Sequence, residues 1–243
     1  MPTIVFASPK GGAGKSTAAI LLATELVNHR AGVTLIDADP NKPLSQWAAR
    51  PGKPDLLKVV ADTSEETIID TIEAAATQTP FVIVDLEGTA SMMVGYAMSR
   101  ADLVIIPAQG SHLDAAEAAK AIKLVEAQER AFRKVIRYAV LFTRTNPAIR
   151  PRTFQSVEAQ FMTKKIPILN TQIHEREAYR AIFSFGGTLS TLDPAHVPNI
   201  TAAKANAVLF TSEVVNLLKS GRAAVEPSTS RASPATTPAE TVG

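Results

Sequence analysis

Eight consecutive residues, Lys10-Gly11-Gly12-Ala13-Gly14-Lys15-Ser16-Thr17, combine the side-chain types needed to hold a polyphosphate. Glycines let backbone N–H groups approach an anion that side chains would keep away. At the start of a helix, the same anion meets the positive end of the helix dipole. Lys15 then reaches the outer phosphates, and the Ser16 hydroxyl is suited to ligate Mg²⁺. Gly11, Gly12, Ala13, Gly14 and Thr17 complete the expected cradle.

Three aspartates follow in the order such a site requires. Asp37 and Asp39 lie two apart in Leu35-Ile36-Asp37-Ala38-Asp39-Pro40-Asn41, so extended backbone would put them on one strand face. Carboxylates at the carboxyl edge of a strand beside a phosphate loop can hold water or the hydration shell of a metal. Asp39-Pro40-Asn41 also has the composition of a plain turn. Phe81-Val82-Ile83-Val84-Asp85 is an apolar strand ending in an acid, and Asp85 is expected to meet Mg²⁺ through water. Asp37, Asp85 and Ser16 are thus the expected metal residues. Glu87, just beyond, has two readings, a second acid near the outer phosphate or, more simply, a surface carboxylate. His112 and His174 have no histidine or cysteine partners at ligand spacing, which argues against zinc.

Positioning these residues takes alternating strands and helices. Strands are expected at 3–7, 33–37, 57–60, 81–85, 103–107, 136–143 and 166–169, several of them continuous apolar runs of the kind buried on both faces. Helices are expected at 15–30, 64–77, 90–100, 114–131, 151–163, 175–184 and 199–219. Asp114 reads as the cap of its helix, and Trp47, the single tryptophan, as packing. This alternation implies an α/β fold, a doubly wound and mostly parallel sheet with helices on both faces. One domain should span 1–222. From 223 to 243 the chain turns to Ala, Pro, Ser and Thr and reads as a disordered tail.

The composition narrows the class further. With 243 residues, 46% of them apolar and no cysteine, the chain can build a large core and has no thiolate metal site. The amino terminus reads as a strand rather than a signal peptide, so a cytoplasmic location is expected. The net charge of +2 conceals an asymmetry: residues 1–127 carry −5 (10 basic, 15 acidic) and residues 128–222 carry +8 (14 basic, 6 acidic). Such a basic half suits a polyanion partner, unless the charges are spread around a solvated surface.

The loop departs from the common phosphate-loop pattern in having Pro9-Lys10 at its start, where glycine is usual. Its K-G-G-x-G-K-[ST]-T form resembles the deviant Walker A motif of the ParA/MinD superfamily of ATPases. Ser8-Pro9-Lys10, Asp39-Pro40-Asn41 and Ala101-Asp102-Leu103-Val104-Ile105-Ile106-Pro107 extend the likeness to small ParA proteins of the ParF kind, over about residues 1–220. Ile173-His174-Glu175-Arg176-Glu177-Ala178-Tyr179 is similar to a segment of the VirC-type ATPases that act at T-DNA transfer origins.

The resemblance implies ATP and Mg²⁺ as cofactors and slow, partner-stimulated hydrolysis. It implies a homodimer closed on ATP, with Lys10 touching the partner's phosphates, and Asp39 as the residue that orients the attacking water. Only that dimer would present a continuous basic surface for sequence-independent DNA binding, giving nucleoid association in the ATP state. Candidate contacts are Arg133, Lys134, Arg137, Arg150, Arg152, Lys164, Lys165, Lys204, Lys219 and Arg222. Plasmid partition with a small centromere-binding adaptor is the leading expectation. Conjugative transfer with a transfer-complex protein and positioning of a protein cargo are the rivals. A metabolic phosphate-loop enzyme would have no use for Lys10. No membrane partner is expected, because the Pro/Ser/Thr-rich tail is unlike an amphipathic anchor.

Overall fold

The computed structural model describes residues 1–61, 63–88 and 91–223. The expected tail therefore lies outside the described residues from 224 on, and Arg222 is described in its backbone alone. Seven strands form the sheet: β1 (Thr3–Phe6), β2 (Val33–Ala38), β3 (Leu57–Val60), β4 (Phe81–Leu86), β5 (Leu103–Ala108), β6 (Tyr138–Thr145) and β7 (Ile173–His174). Eight helices accompany them: α1 (Lys15–Asn28), α2 (Pro43–Ala48), α3 (Ile68–Gln78), α4 (Met92–Ser99), α5 (His112–Phe132), α6 (Arg152–Thr163), α7 (Glu177–Phe185) and α8 (Ile200–Ala223). No described helix is long and apolar enough to cross a membrane.

The strand order is β3-β2-β4-β1-β5-β6-β7, and every pairing is parallel. All carboxyl ends therefore point the same way, which is where open α/β sheets bind ligands. Alternation along each strand splits the core into two layers. Ile4, Phe6, Leu35 and Ile83 face α1, α2, α7 and α8. Val5, Ile36, Val84 and Ile106 face α3, α4, α5 and α6.

Two expectations need correction. The segment 166–169 is not a strand of the sheet. It makes one isolated bridge, Val140 to Ile168, and the seventh strand comes later at Ile173–His174. Pro167 has no N–H to donate to a ladder. The segment's bonding to β6 is limited to Val140 N–H on Pro167 C=O at 2.8 Å and Leu169 N–H on Val140 C=O at 2.9 Å. Just beyond it, the N–H groups of Asn170 and Thr171 are taken at 2.7 and 2.8 Å by the Glu213 carboxylate of α8. The second correction is an addition: α2 is a six-residue helix that opens with Pro43. Six residues are too few to show a helical period, and proline suits a first turn. Elsewhere helix ends move by a few residues, most at α3, which starts at Ile68 after a turn at 64–67.

Candidate functional site: a glycine loop facing buried carboxylates

The loop leaves β1 and enters α1 with Gly12 at φ 74° and Gly14 at φ 94°, left-handed conformations that favour glycine. Ala18 N–H bonds Gly14 C=O at 2.9 Å, closing the first helical turn. A side chain on Gly11 or Gly12 would meet nothing within 4 Å. Their backbone is therefore open to a ligand.

Thr143 of β6 braces the loop from behind. Its hydroxyl donates to Ala13 C=O at 2.7 Å, and its side chain lies 3.3 Å from where a Gly14 Cβ would stand. Gln109 Nε2 donates to Gly12 C=O at 3.2 Å. On the other side Gly88 packs so tightly that a Cβ there would lie 2.9 Å from Gly11 N.

Lys15 is buried. Burial lowers its pKa from the ordinary lysine value, while the charges of Asp85, Asp39 and Glu87 oppose that fall. Asp37 and Asp85 are paired across β2 and β4 at the carboxyl edge, and both are fully buried. Neither Asp85 oxygen has a hydrogen-bond partner in standard geometry, and Asp37 Oδ1 has none either. Burial pushes the Asp85 carboxyl up to about 7. The nearby Ser16 hydroxyl and the Lys15 charge pull it down, and Asp37 and Asp39 add to the rise.

Asp37 Oδ2 accepts from the backbone N–H and the hydroxyl of Ser45, both at 2.7 Å. Ser45 belongs to α2, so the helix missed in the sequence fixes an acid found there. Lys42 Nζ donates to Asp37 C=O at 3.0 Å and Ala61 C=O at 2.7 Å, tying the same turn down. Asp39 Oδ1 accepts from Asn41 N–H at 2.8 Å and Nδ2 at 3.0 Å, so this aspartate both forms the expected turn and lines the cavity.

That cavity, about 560 Å³, is bordered by the glycine loop, Lys15, Ser16, Asp39, Glu87 and Arg144. Glu87 is half-buried there rather than a plain surface acid. A second cavity of about 480 Å³ shares Gly14, Thr17 and Arg144 and is walled by His174, Arg176 and Tyr179. His174 Nδ1 sits 2.8 Å from the Thr145 hydroxyl, and burial followed by the Arg176 charge keeps its pKa below the ordinary histidine value. Arg144 had no sequence signal. It adopts φ 53° just past the core of β6, where only the fold turns it toward the loop.

Lys10 Nζ lies 2.6 Å from Asp114 Oδ1. Asp114 is not the cap of α5, because the helix begins at His112 and the Ser111 hydroxyl accepts from Asp114 N–H at 3.2 Å. Trp47 is buried packing, as read, and also donates from Nε1 to Gly187 C=O at 2.9 Å.

The family model for the VirC1 protein matches residues 1–224. The chain belongs to the VirC1 family. It is also 40% identical over 218 residues to Protein ParA of Rhizobium radiobacter, covering 90% of this chain and 98% of that protein. An ATP complex of a McdA variant from Cyanothece superposes with a TM-score of 0.72 at 17% identity, over 88% of this chain and 96% of that one. The MinD cell division protein of Aquifex aeolicus gives a TM-score of 0.69 at 21% identity, over 89% and 97%. Membership of the VirC1 family and the likeness to a ParA protein place the chain in the ParA/MinD superfamily.

Proposed function

We propose that this VirC1-family chain is an ATPase that binds Mg-ATP, closes as a homodimer, holds DNA without sequence preference and drives plasmid partition. The observation that carries the reading is the set of three buried carboxylate oxygens, two on Asp85 and one on Asp37, left without partners beside Lys15 and the open glycine loop. Buried acids are costly unless a cation or donor meets them.

The donor set suits Mg²⁺. Among the described residues no group of three or more His, Cys, Asp or Glu could cage an ion, and Mg²⁺ asks instead for one or two carboxylates, waters and phosphate oxygens. Ser16, Asp37 and Asp85 would hold it, and when bound it would neutralise charge developing on the phosphates. Lys15 contributes a fixed positive charge at the same place. Gly11 to Thr17 bind the phosphates, and the cavity walled by His174, Arg176 and Tyr179 takes the nucleoside. Asp39, partly exposed on the cavity rim, orients the attacking water. Lys10, leaving Asp114, reaches the phosphates held by the second copy.

The 40% identity to a ParA protein supports partition, with a small DNA-binding adaptor as the stimulating partner. The family match to VirC1 supports a second reading, promotion of DNA transfer, through the same ATPase cycle. The test is a duplex-binding titration with ATP, a slowly hydrolysed analogue and ADP, for wild type and Lys10→Ala. Tight binding with ATP or the analogue alone, lost in Lys10→Ala, is expected. Equal binding in all nucleotide states would remove the switch, and no binding in any state would turn the reading toward a protein cargo.

A further inference from the structure

Because all strands run the same way, the end of the sheet opposite the glycine loop is built from strand starts and helix finishes. The last turns of α5 and α6 on one face of the sheet, and the last turns of α8 on the other, lie at that end beside the start of β6. Arg137 Nη1 donates to Leu217 C=O of α8 at 2.8 Å, and Lys134 Nζ donates to Ser99 C=O and Ala101 C=O at 3.2 Å each. These two cations are spent on backbone carbonyls, one of them the last of α4, an ordinary structural role.

Arg130, Arg133, Lys164, Lys165 and Lys219 lie at the same end and are different. All five are exposed, and among the described residues none makes an ion pair or donates a side-chain hydrogen bond. Three acids lie nearby without pairing to them: Glu129 accepts from Ile136 N–H at 2.8 Å, Asp102 accepts from Thr3 N–H at 2.7 Å, and Glu126 sits toward Tyr138. By contrast Arg150, another candidate for DNA contact, is paired to Glu158 at 2.6 Å and stacked over Phe154.

We propose that this amino end of the sheet is a docking face for the phosphate backbone of duplex nucleic acid, complete within a single chain. The inference rests on the DNA-binding reading above and assigns its location. Five long cations outside any ion pair, at the ends of three helices, suit contact with a run of phosphates, and each phosphate neutralised releases counterions. Such contacts position a duplex without reading its bases. Phe132, Val135 and Met162 are exposed here too. A bilayer needs a continuous apolar face, however, and the apolar stripes of α5, α6 and α8 are buried in the core. The face lies at the far end from the nucleotide cavity, so it is present before any dimer forms.

The experiment measures anisotropy of a labelled duplex, across a salt series, for nucleotide-free and analogue-bound protein. The wild type is compared with the combined variant Arg133→Gln, Lys165→Gln, Lys219→Gln and with the separate pair Arg130→Gln, Lys164→Gln. Nucleotide-free wild type should bind weakly and salt-dependently. Each variant should lose duplex affinity in both states, roughly tenfold or more at low salt. The slope of log K against log salt should fall by about 0.9 for each contact removed, with ATP affinity unchanged. Wild-type affinity and slope in both variants would overturn the location while leaving the DNA reading intact. A wild type that binds no duplex in any nucleotide state would overturn both. Tighter capture on phosphatidylglycerol vesicles than on duplex would overturn the nucleic-acid assignment.

Discussion

The Lys10 ammonium stands 2.6 Å from the carboxylate of Asp114 in its own chain. Lys10 belongs to the glycine loop and Asp114 to the first turn of α5, 104 residues later. If Lys10 serves a second copy's phosphates, this ion pair must open when the dimer closes. Asp114→Asn should then let the analogue-bound dimer form at lower protein concentration, by a few fold. Sedimentation of wild type and variant across a dilution series decides it, and unchanged or weaker dimerisation would mean that the pair persists on closure.

Asp114 also predicts a pH response. Burial works against its ionisation, but hydrogen bonds from Lys10 and Ser111 and the Lys10 charge outweigh it and hold its pKa below the ordinary value. A carboxylate depressed in the folded state adds stability above its unfolded pKa, about 4, and loses it as pH falls through the folded value. The difference in melting temperature between wild type and Asp114→Asn should therefore be steady near neutrality and shrink below about pH 4. A difference that widened in acid would contradict the assignment.

Lys15→Ala and Asp39→Ala separate binding from hydrolysis. On the proposed reading Lys15→Ala takes away a charge-assisted phosphate contact and should weaken ATP binding severely and abolish turnover. Asp39→Ala should bind ATP, fail to hydrolyse it and accumulate the closed dimer. Calorimetry with ATP and a phosphate-release assay distinguish them. Loss of ATP binding in Asp39→Ala would move that residue to the metal site or the fold.

Gly88→Ala tests the close approach between β4's exit and the loop. The added methyl would stand 2.9 Å from Gly11 N and 3.1 Å from Gly11 Cα, so the loop must shift. Overpacking of this kind costs about 1–3 kcal/mol, and here it falls on the phosphate cradle. ATP affinity should drop by more than thermal stability suggests, as read by titration beside a melting curve.

Trp47→Phe should do the reverse. It keeps the ring in α2 but strands the Gly187 carbonyl, now served at 2.9 Å. A buried polar group left unpaired costs about 1–3 kcal/mol. Denaturant unfolding should show that loss while ATP turnover is retained.

The strands β1, β2, β4 and β5 were legible because a strand buried on both faces spells itself as an apolar run, and β2 and β4 carry the acids near their ends. The loop was legible as a turn because three glycines crowd between an apolar strand and a helical pattern, and two of them take left-handed conformations. What stayed hidden depends on distant residues. Ser45 holds Asp37 through α2, a helix too short to show a period. Thr143 and Gln109 brace the loop from β6 and the turn after β5, which sequence order cannot reveal. The edge near 166–169 was misread because Pro167 has no N–H for a ladder and Glu213, on α8, takes the N–H groups of Asn170 and Thr171 that would extend it.

The opposed ends of the parallel sheet carry a consequence for the nucleotide switch. If ATP joins two copies at their carboxyl ends, the two amino ends face away from each other, each with its own phosphate-binding face. Nothing need be transmitted through the rigid sheet for ATP to strengthen DNA binding. Tethering alone turns the second contact into an intramolecular event, and such avidity raises apparent affinity by about 10²–10⁴ without a new contact. On that arithmetic hydrolysis would free DNA by halving valency, and duplex segments lying close together would be the substrate such a two-ended clamp holds best.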